Sequence, residues 1–496
     1  MVTLEKILPA PKATEKLAAS LAPYLVAGDV ILLKGELGAG KSHFARALIR
    51  ALGCQQQHLP SPTFTLVQTY DDTRLPVAHA DFYRLNDPSE VAELALHCFI
   101  EHGVLIVEWP EKAPADMFPP RALTITFTDI GPDGRMATLS GEDSWAPRFG
   151  FFAPEMRRAS TEHGRQAYLQ KQSGRKGDVI TPVSVDASFR SYWRVRLPEG
   201  TRILMDAPPP MENLALFIDI GKHLSRIGVH VPHVYNADLK QGYALLEDLG
   251  DTTFYRAIQE GASTQTLYEK AVDVLVHIAL ADHFAVKDYT TTMYQDEACL
   301  FTDWYMPRIN EHATYTACRR QFRELWLPLV EHIRAVPKTA VLWDYHCQNL
   351  MLLSPVGNTP TKTSRVENIA DVGVLDFQDA RLGPVSHDLA SLLYDVRFDV
   401  PETLHDLLIR RLVDGLDGAV TLDAFTLSMK LSTIQNLLRI AGVFTRLAYR
   451  DGKTNYLTYM PRLWRHLDKL LATTPEADAL RKFIDKNTPT TRELSA

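Results

Sequence analysis

Cysteine is scarce and unpaired in this sequence. Cys54, Cys98, Cys299, Cys318 and Cys347 are scattered with no C-x-x-C pair, which removes a zinc site and a disulfide framework from consideration. Long apolar runs are missing too. None approaches the ~18 residues that span a bilayer, and the opening MVTLEKILPAPKATEK has neither the basic start nor the apolar stretch of a signal peptide. A cytoplasmic protein with no membrane segment is expected. Positive charge is not in surplus: the net charge is −7, with 13 Lys and Arg against 18 Asp and Glu in residues 1–150 and 40 against 42 in the rest. Nucleic-acid affinity depends on cations set against phosphates, so tight direct binding of RNA or DNA is disfavoured. There is no 20–50-residue repeat, heptad array or low-complexity tail. What is present is an ordinary globular composition, 46% hydrophobic and 23% charged. Its 496 residues suit two large domains or three of ~150 residues.

The most informative short stretch is GELGAGKSHFAR, residues 35–46. Gly35, Gly40, Lys41 and Ser42 fit G-x-x-x-x-G-K-[ST]. In that pattern glycines, with Gly38 here between them, let backbone N–H groups close around phosphates, while Lys neutralises them and a hydroxyl serves Mg²⁺. A glycine turn joining two elements could share the composition, but the flanks argue for the phosphate loop. DVILLKG before it reads as a buried strand, and KSHFARALIRALG after it has helical spacing with Gly53 as a stop.

Beyond it, VLIVEWP delivers Glu108 at the end of an apolar run, where a carboxylate could hold Mg²⁺ or orient a water. A buried strand ending in a solvated Glu would look the same. HADFYR supplies Asp81 and SPTF supplies Thr63, each compatible with a structural role when taken alone. RALTITFTDIGPDGRMATLSG reads as two strands around a Pro-Asp-Gly turn and closes the first unit.

The ordered set GELGAGKS, SPTFTLVQTY, HADFYRL and VEWPEK resembles the TsaE family, the ATPase subunit of the machinery that makes threonylcarbamoyladenosine in tRNA. The resemblance implies an α/β P-loop nucleotidase domain over residues 1–147. It puts Lys41 on phosphates, Ser42 on Mg²⁺, Thr63 as a switch-like contact, Asp81 and Glu108 supporting metal and hydrolysis, and Trp109 near the nucleotide. It also implies TsaB and TsaD proteins as partners, with tRNA engaged only indirectly.

A linker is expected over residues 148–157. Over ITPVSVDASFRSYWRVRLPEGTRILMDAP the pattern is strand, turn, strand, turn, strand, followed by a helix over NLALFIDIGKHLSRIG, the strand YALLEDLG and, from about 265, mostly helices. SPVGNTPTKTSR reads as an exposed loop between short strands. LWDYHCQNL and VGVLDFQDA then supply Asp344, Asn349 and Asp376. Phosphoryl transfer to a hydroxyl needs a carboxylate that orients the hydroxyl and accepts its proton, and an amide and a second carboxylate for metal. Each stretch alone could be a turn with a solvated Asp. D-x-x-x-x-N followed by an apolar strand ending in Asp is the kinase spacing.

This second unit, residues 158–496, resembles the aminoglycoside phosphotransferase fold, an α+β bilobal protein-kinase-like domain, and within it the AmgK group acting on N-acetylmuramate and N-acetylglucosamine. The matching stretches, from about 158 to 470, are DASFRSYWRV, LMDAPPP, LLEDLG, DYHCQNL, LDFQDARLGPVSHDLASLLYDVR and NLLRIAGVFTRLAYRDGKTNYLTYMPRLWRHL. The resemblance implies Asp344 as base, Asn349 and Asp376 as metal ligands, Ser188, Phe189 and Arg190 as the loop over ATP, and LLEDLG with Glu247 as the adenine hinge. It also implies transfer to the anomeric hydroxyl, in cell-wall recycling. Two features depart from the wider fold. No Lys stands on RILMDAP, which leaves Arg190 as the candidate phosphate cation. Leu342 and Trp343 replace the first His and the small or basic residue of H-x-D-x-H-x-x-N, although His346 is kept.

The chain thus reads as a fusion of two enzymes, each using ATP and Mg²⁺. Other hydroxyl acceptors such as choline or an aminoglycoside, and a catalytically weak binding module, are the alternatives for the second unit. Arg439, Arg446 and Arg450 are expected on a solvated helix face, and Asp388 is expected to brace a loop or helix start.

Overall fold

The computed structural model describes the chain apart from residues 1, 86, 88–89, 92–93, 95, 97–102, 115–116, 132–133, 143–144, 146–147, 150–161, 174–178, 186–188, 199, 210–211, 282–285, 310–314, 354–368, 489–491 and 493–496. The expected loop SPVGNTPTKTSR, residue Ser188 and all but two residues of the expected linker fall outside the described residues. Two compact units form, built mainly on Met1–Ser160 and on Thr161–Ala207, Asn213–Ala313 and Gln321–Ala496.

In the first unit the strands are β1 (Val2–Leu8), β2 (Asp29–Lys34), β3 (Val67–Tyr70), β4 (Val77–Asp81), β5 (Val104–Glu108), β6 (Leu123–Asp129) and β7 (Arg135–Gly141). They form one sheet in the order β1-β7-β6-β2-β5-β4-β3. β2 pairs in parallel with β5 and β6, and β4 in parallel with β5. Such central strands must be apolar on both faces. Accordingly Ile31, Leu33, Val104 and Ile106 join one core, while Val30, Leu32, Leu105 and Val107 join the other. Helices α1 (Pro11–Leu21) and α2 (Lys41–Ala51) cover the first of these faces with Leu17, Leu21, Phe44 and Leu48. The edge strand β1 was not anticipated, although its alternating burial, with Val2, Leu4 and Leu8 inside, is the period-two signal of a half-buried strand.

The second unit opens with α3 (Glu162–Ser173) and an antiparallel sheet of β8 (Ile180–Val185), β9 (Ser191–Leu197), β10 (Gly200–Asp206), β11 (Val234–Asp238) and β12 (Tyr243–Glu247), in the order β11-β12-β10-β9-β8. Tyr168 and Leu169 of α3 pack on one face against Val195, Leu204, Tyr243 and Leu245. α4 (Leu214–Arg226) packs Phe217, Ile220 and Leu224 with Met205, Ala244 and Leu246 on the other.

The helical part is built on α5 (Thr264–Leu280), α6 (His387–Leu393) and the 30-residue α7 (Leu422–Asp451). Two short antiparallel pairs, β13 (Lys338–Val341) with β16 (Arg381–Pro384) and β14 (Leu350–Leu352) with β15 (Val372–Val374), carry the signature loops. Residues 342–349 connect β13 to β14, and residues 375–380 connect β15 to β16. Among the described residues no helix is long and apolar enough to cross a membrane.

Candidate active sites

The first site lies where β2 ends. Gly35, Gly38 and Gly40 have φ of +136°, +82° and +104°, left-handed values that glycine adopts without a Cβ penalty. A Cβ on Gly35 would meet the backbone oxygen of Phe127 at 2.5 Å, so β6 closes the loop from behind. Gly35→Ala is therefore expected to destabilise this unit by roughly 2–4 kcal/mol through overpacking and an unfavourable φ. Its thermal transition measures this, and an unchanged midpoint would contradict the close approach.

Lys41, at the start of α2, is buried, and its Nζ donates to the carbonyls of Gly35 at 2.6 Å and Glu36 at 2.9 Å. The ammonium also sits 3.8 Å from the centre of the Trp109 ring. Burial lowers the Lys41 pKa, and Glu108, Glu111, Asp81 and Glu36 oppose that shift. A cation parked on loop carbonyls and an aromatic face, beside the first turn of an 11-residue helix, suits a phosphate group.

The acidic residues come together because their strands are neighbours. Register pairs Asp81 with Glu108 and Leu33 with Glu108. Ser42 Oγ donates to Glu108 Oε2 at 2.8 Å, and Thr63 Oγ1 donates to Asp81 Oδ2 at 2.5 Å. Ser42 and Glu108 thus present adjoining oxygen donors of the kind Mg²⁺ prefers. The sequence reading missed His79. It lies two residues before Asp81 on β4, is fully buried, and places Nε2 2.9 Å from Glu108 Oε1. The clue was available: a histidine inside an apolar strand, two positions from a candidate carboxylate, shares its face.

The second site is bounded by two cavities. One, of about 360 Å³, is lined by Tyr192, Arg194, Ile203, Leu246, Glu247 and Leu249 among others, between the five-stranded sheet and the signature loops. The other, of about 570 Å³, is lined by Asp344, His346, Asn436, Arg439, Tyr456 and Tyr459 among others. Gln348, Asn349 and Asp376 line both, whereas Asp344 lines only the second. The juxtaposition follows from pairing: Leu350 faces Val374 in register, and the Leu375 N–H donates to the Asn349 carbonyl at 2.9 Å. The Asn349 side-chain amide donates to the Asp344 carbonyl at 2.9 Å. Arg190 Nη2 lies 3.3 Å from Asp376 Oδ1. The amide and carboxylate oxygens of Asn349 and Asp376 fit a hard cation.

Glu247 lines the first cavity, but its carboxylate is engaged, accepting the His233 N–H at 3.1 Å and lying 3.2 Å from His230 Nε2. Next to it, Asp248 accepts from Arg194 Nε and Nη2 at 2.7 and 2.9 Å. This fork ties β9 to the hinge. Phe189 is half-buried beside Arg190.

Leu342 and Trp343 have a structural explanation. Leu342 sits in the main core, and Trp343 adopts φ +79°, a strained value for a bulky residue. Buried Asp388 on α6 accepts both N–H groups, from Leu342 at 2.7 Å and from Trp343 at 3.1 Å. The indole stacks on His387, with centroids 4.8 Å apart and planes 19° apart. Asp388 therefore braces the loop that carries Asp344.

Neither ring nitrogen of His387 has a hydrogen-bond partner among the described residues. Burial first, and then the Arg439 guanidinium, push its pKa down to about 3, with Asp344 opposing. Once unfolded it titrates near 6.5, so between those values the unfolded chain binds the extra proton and stability is lost as pH falls. His387→Phe keeps the stacking and should remove about 2 kcal/mol of the loss between pH 7 and pH 5. Thermal unfolding of both proteins at the two pH values checks this, and an equal drop in the variant would refute it.

The expectation for the arginines of α7 needs correction. Arg439 is only 17% exposed and Arg450 only 9%. Arg439 points into the larger cavity, and Arg450 Nε donates to Asp451 at 2.7 Å. Both are drawn inward because α7 is a central helix with 17 buried residues spread around its circumference.

Comparison with known proteins matches each unit separately. The family model for threonylcarbamoyl adenosine biosynthesis protein TsaE matches residues 8–136, and that for the phosphotransferase enzyme family matches residues 179–419. A Bacillus subtilis protein named tRNA threonylcarbamoyladenosine biosynthesis protein TsaE is 36% identical over 130 residues, covering 26% of this chain and 80% of its own. A Pseudomonas aeruginosa protein named N-acetylmuramate/N-acetylglucosamine kinase is 32% identical over 311 residues, covering 62% of this chain and 87% of its own. The structure of a choline/ethanolamine kinase family protein from Mesorhizobium loti is 14% identical, covering 66% of this chain and 99% of its own, with a TM-score of 0.45. The fold is thus a P-loop α/β domain followed by a kinase-like phosphotransferase domain, and the chain belongs through its first unit to the TsaE family and through its second to the N-acetylmuramate/N-acetylglucosamine kinases of the phosphotransferase family.

Proposed function

We propose that this is a cytoplasmic bifunctional enzyme divided into residues 1–147, a linker at 148–157 and residues 158–496. The first part is the ATPase of tRNA threonylcarbamoyladenosine biosynthesis and works with TsaB and TsaD proteins. The second transfers the γ-phosphate of ATP to the anomeric hydroxyl of N-acetylmuramate or N-acetylglucosamine. The observation that carries the kinase reading is the pair of cavities sharing Asn349 and Asp376, with Asp344 confined to one of them. A donor on one side and an acceptor on the other meet there.

ATP would occupy the cavity beside the hinge, with its phosphates toward Asn349 and Asp376, which line both cavities, and toward Arg190, which lines the larger cavity and pairs with Asp376. Asn349 and Asp376 hold Mg²⁺, which offsets phosphate charge when bound. Asp344 orients the sugar hydroxyl and takes its proton as the oxygen attacks the γ-phosphorus, while the bond from that phosphorus to the β–γ bridging oxygen breaks and ADP leaves. In the first unit Gly35, Gly38, Gly40, Lys41, Thr63 and Trp109 hold the nucleotide. Ser42 and Glu108 serve Mg²⁺, and Asp81 and Glu108 support hydrolysis.

The test is to incubate the full chain with ATP and each sugar and follow the product by phosphorus NMR. An anomeric phosphate disappears on mild acid treatment. An acid-stable sugar phosphate would exclude the anomeric assignment, and transfer to choline or an aminoglycoside alone would exclude the amino sugars. For the first unit, restoration of tRNA modification in cells lacking their own TsaE is expected, and failure there by a well-expressed chain would count against the reading.

A further inference from the structure

The catalytic loop from Leu342 to Leu350 contains no Lys or Arg. Asp344 is 43% exposed and shares its cavity with the carboxylates of Asp376, Asp379 and Asp395. Without a nearby cation, repulsion from that crowd of like charge would leave the Asp344 carboxylate poorly oriented. Its ion-pair partner among the described residues comes from far along the chain. Arg439 Nη2, on α7, stands 3.8 Å from Asp344 Oδ1.

The guanidinium is held in place. Its Nε and Nη2 donate to Asn436 Oδ1 at 3.1 and 2.9 Å, one turn back on the helix. Behind it Glu297 Oε2 lies 4.0 Å from Nε, and Tyr289 donates its hydroxyl to that same oxygen at 2.9 Å. The Tyr289 hydroxyl in turn accepts from Gln435 Nε2 at 3.3 Å. The Trp343 ring centre is 5.6 Å from the guanidinium carbon.

We infer that Arg439 is a positioning residue for phosphoryl transfer, a cation supplied by α7 that holds the Asp344 carboxylate toward the acceptor. This rests on the reading of Asp344 as the base. The surroundings disfavour direct capture of a sugar carboxylate by Arg439. Two of its donor nitrogens are already committed to Asn436, and two carboxylates flank it, so a third would meet like charge. Arg397, which lines the same cavity, is paired with Asp395 at 3.3 Å.

The experiment measures steady-state kinetics of the full chain with N-acetylmuramate, which bears a carboxylate, and N-acetylglucosamine, which does not. Arg439→Met should lower kcat roughly 10- to 100-fold, to the same extent for both sugars, since misplacing the base affects chemistry rather than recognition. KM for ATP should stay within about 2-fold. Arg439→Lys should recover part of the loss, because charge is kept while the fork onto Asn436 is not. A loss confined to N-acetylmuramate, a raised acceptor KM at unchanged kcat, or a Lys variant no better than Met would each overturn the inference. A native enzyme that phosphorylates neither sugar would defeat the reading of the whole site. An active native enzyme whose Arg439→Met variant keeps its kcat would defeat the role of Arg439 alone.

Discussion

Asp344→Asn is expected to lower phosphate transfer to the amino sugar by at least ~10²-fold while leaving ATP binding largely intact. The change keeps the shape of the side chain and removes the group that takes the proton. Asp344 lines the larger cavity only, whereas the residues assigned to metal, Asn349 and Asp376, line both. Asp376→Ala should therefore behave differently and weaken Mg·ATP binding as well, since it also takes away the carboxylate beside Arg190. Single-turnover phosphorylation together with calorimetric Mg·ATP titration separates the two variants. Equal loss of nucleotide affinity in both would show that Asp344 is a metal ligand and that the division of roles is wrong.

Lys41→Ala should reduce the P-loop ATPase by at least ~10²-fold, to background, while sugar phosphorylation continues. The ammonium contributes charge that nothing else in the loop supplies, because the residues around it, Gly35, Glu36, Glu108 and Trp109, are neutral or acidic. Every residue lining the two kinase cavities belongs instead to the stretch from Val183 to Tyr459. Phosphate release without sugar, and sugar phosphate formed in its presence, are measured on the same preparation. Loss of both activities at an unchanged melting transition would mean that the sites depend on one another.

The local motifs were legible because each is contiguous. DVILLKGELGAGKSHFARALIRALG carries its own strand, glycine loop and helix, and becomes β2, the loop and α2. ITPVSVDASFRSYWRVRLPEGTRILMDAP carries three strands and becomes β8, β9 and β10. LWDYHCQNL and VGVLDFQDA announce a carboxylate, an amide and a second carboxylate by spacing. β1 was overlooked because its partner β7 is more than a hundred residues away, with Val2 against Gly141, and only its alternating pattern hinted at it.

By itself, then, the sequence determined what depends on residue type and short-range spacing: the phosphate loop, the kinase-type loop, the division into two chemistries and their order. Tertiary structure decided what depends on which distant side chains meet. It set buried His79 against Glu108, made Asp388 the brace of a strained Trp343, and turned Arg439 inward toward Asp344. Charged and imidazole side chains look alike in sequence whether solvated or buried. Their environment is fixed only when strand pairing and helix packing bring in partners from elsewhere in the chain, and that environment sets both pKa and geometry.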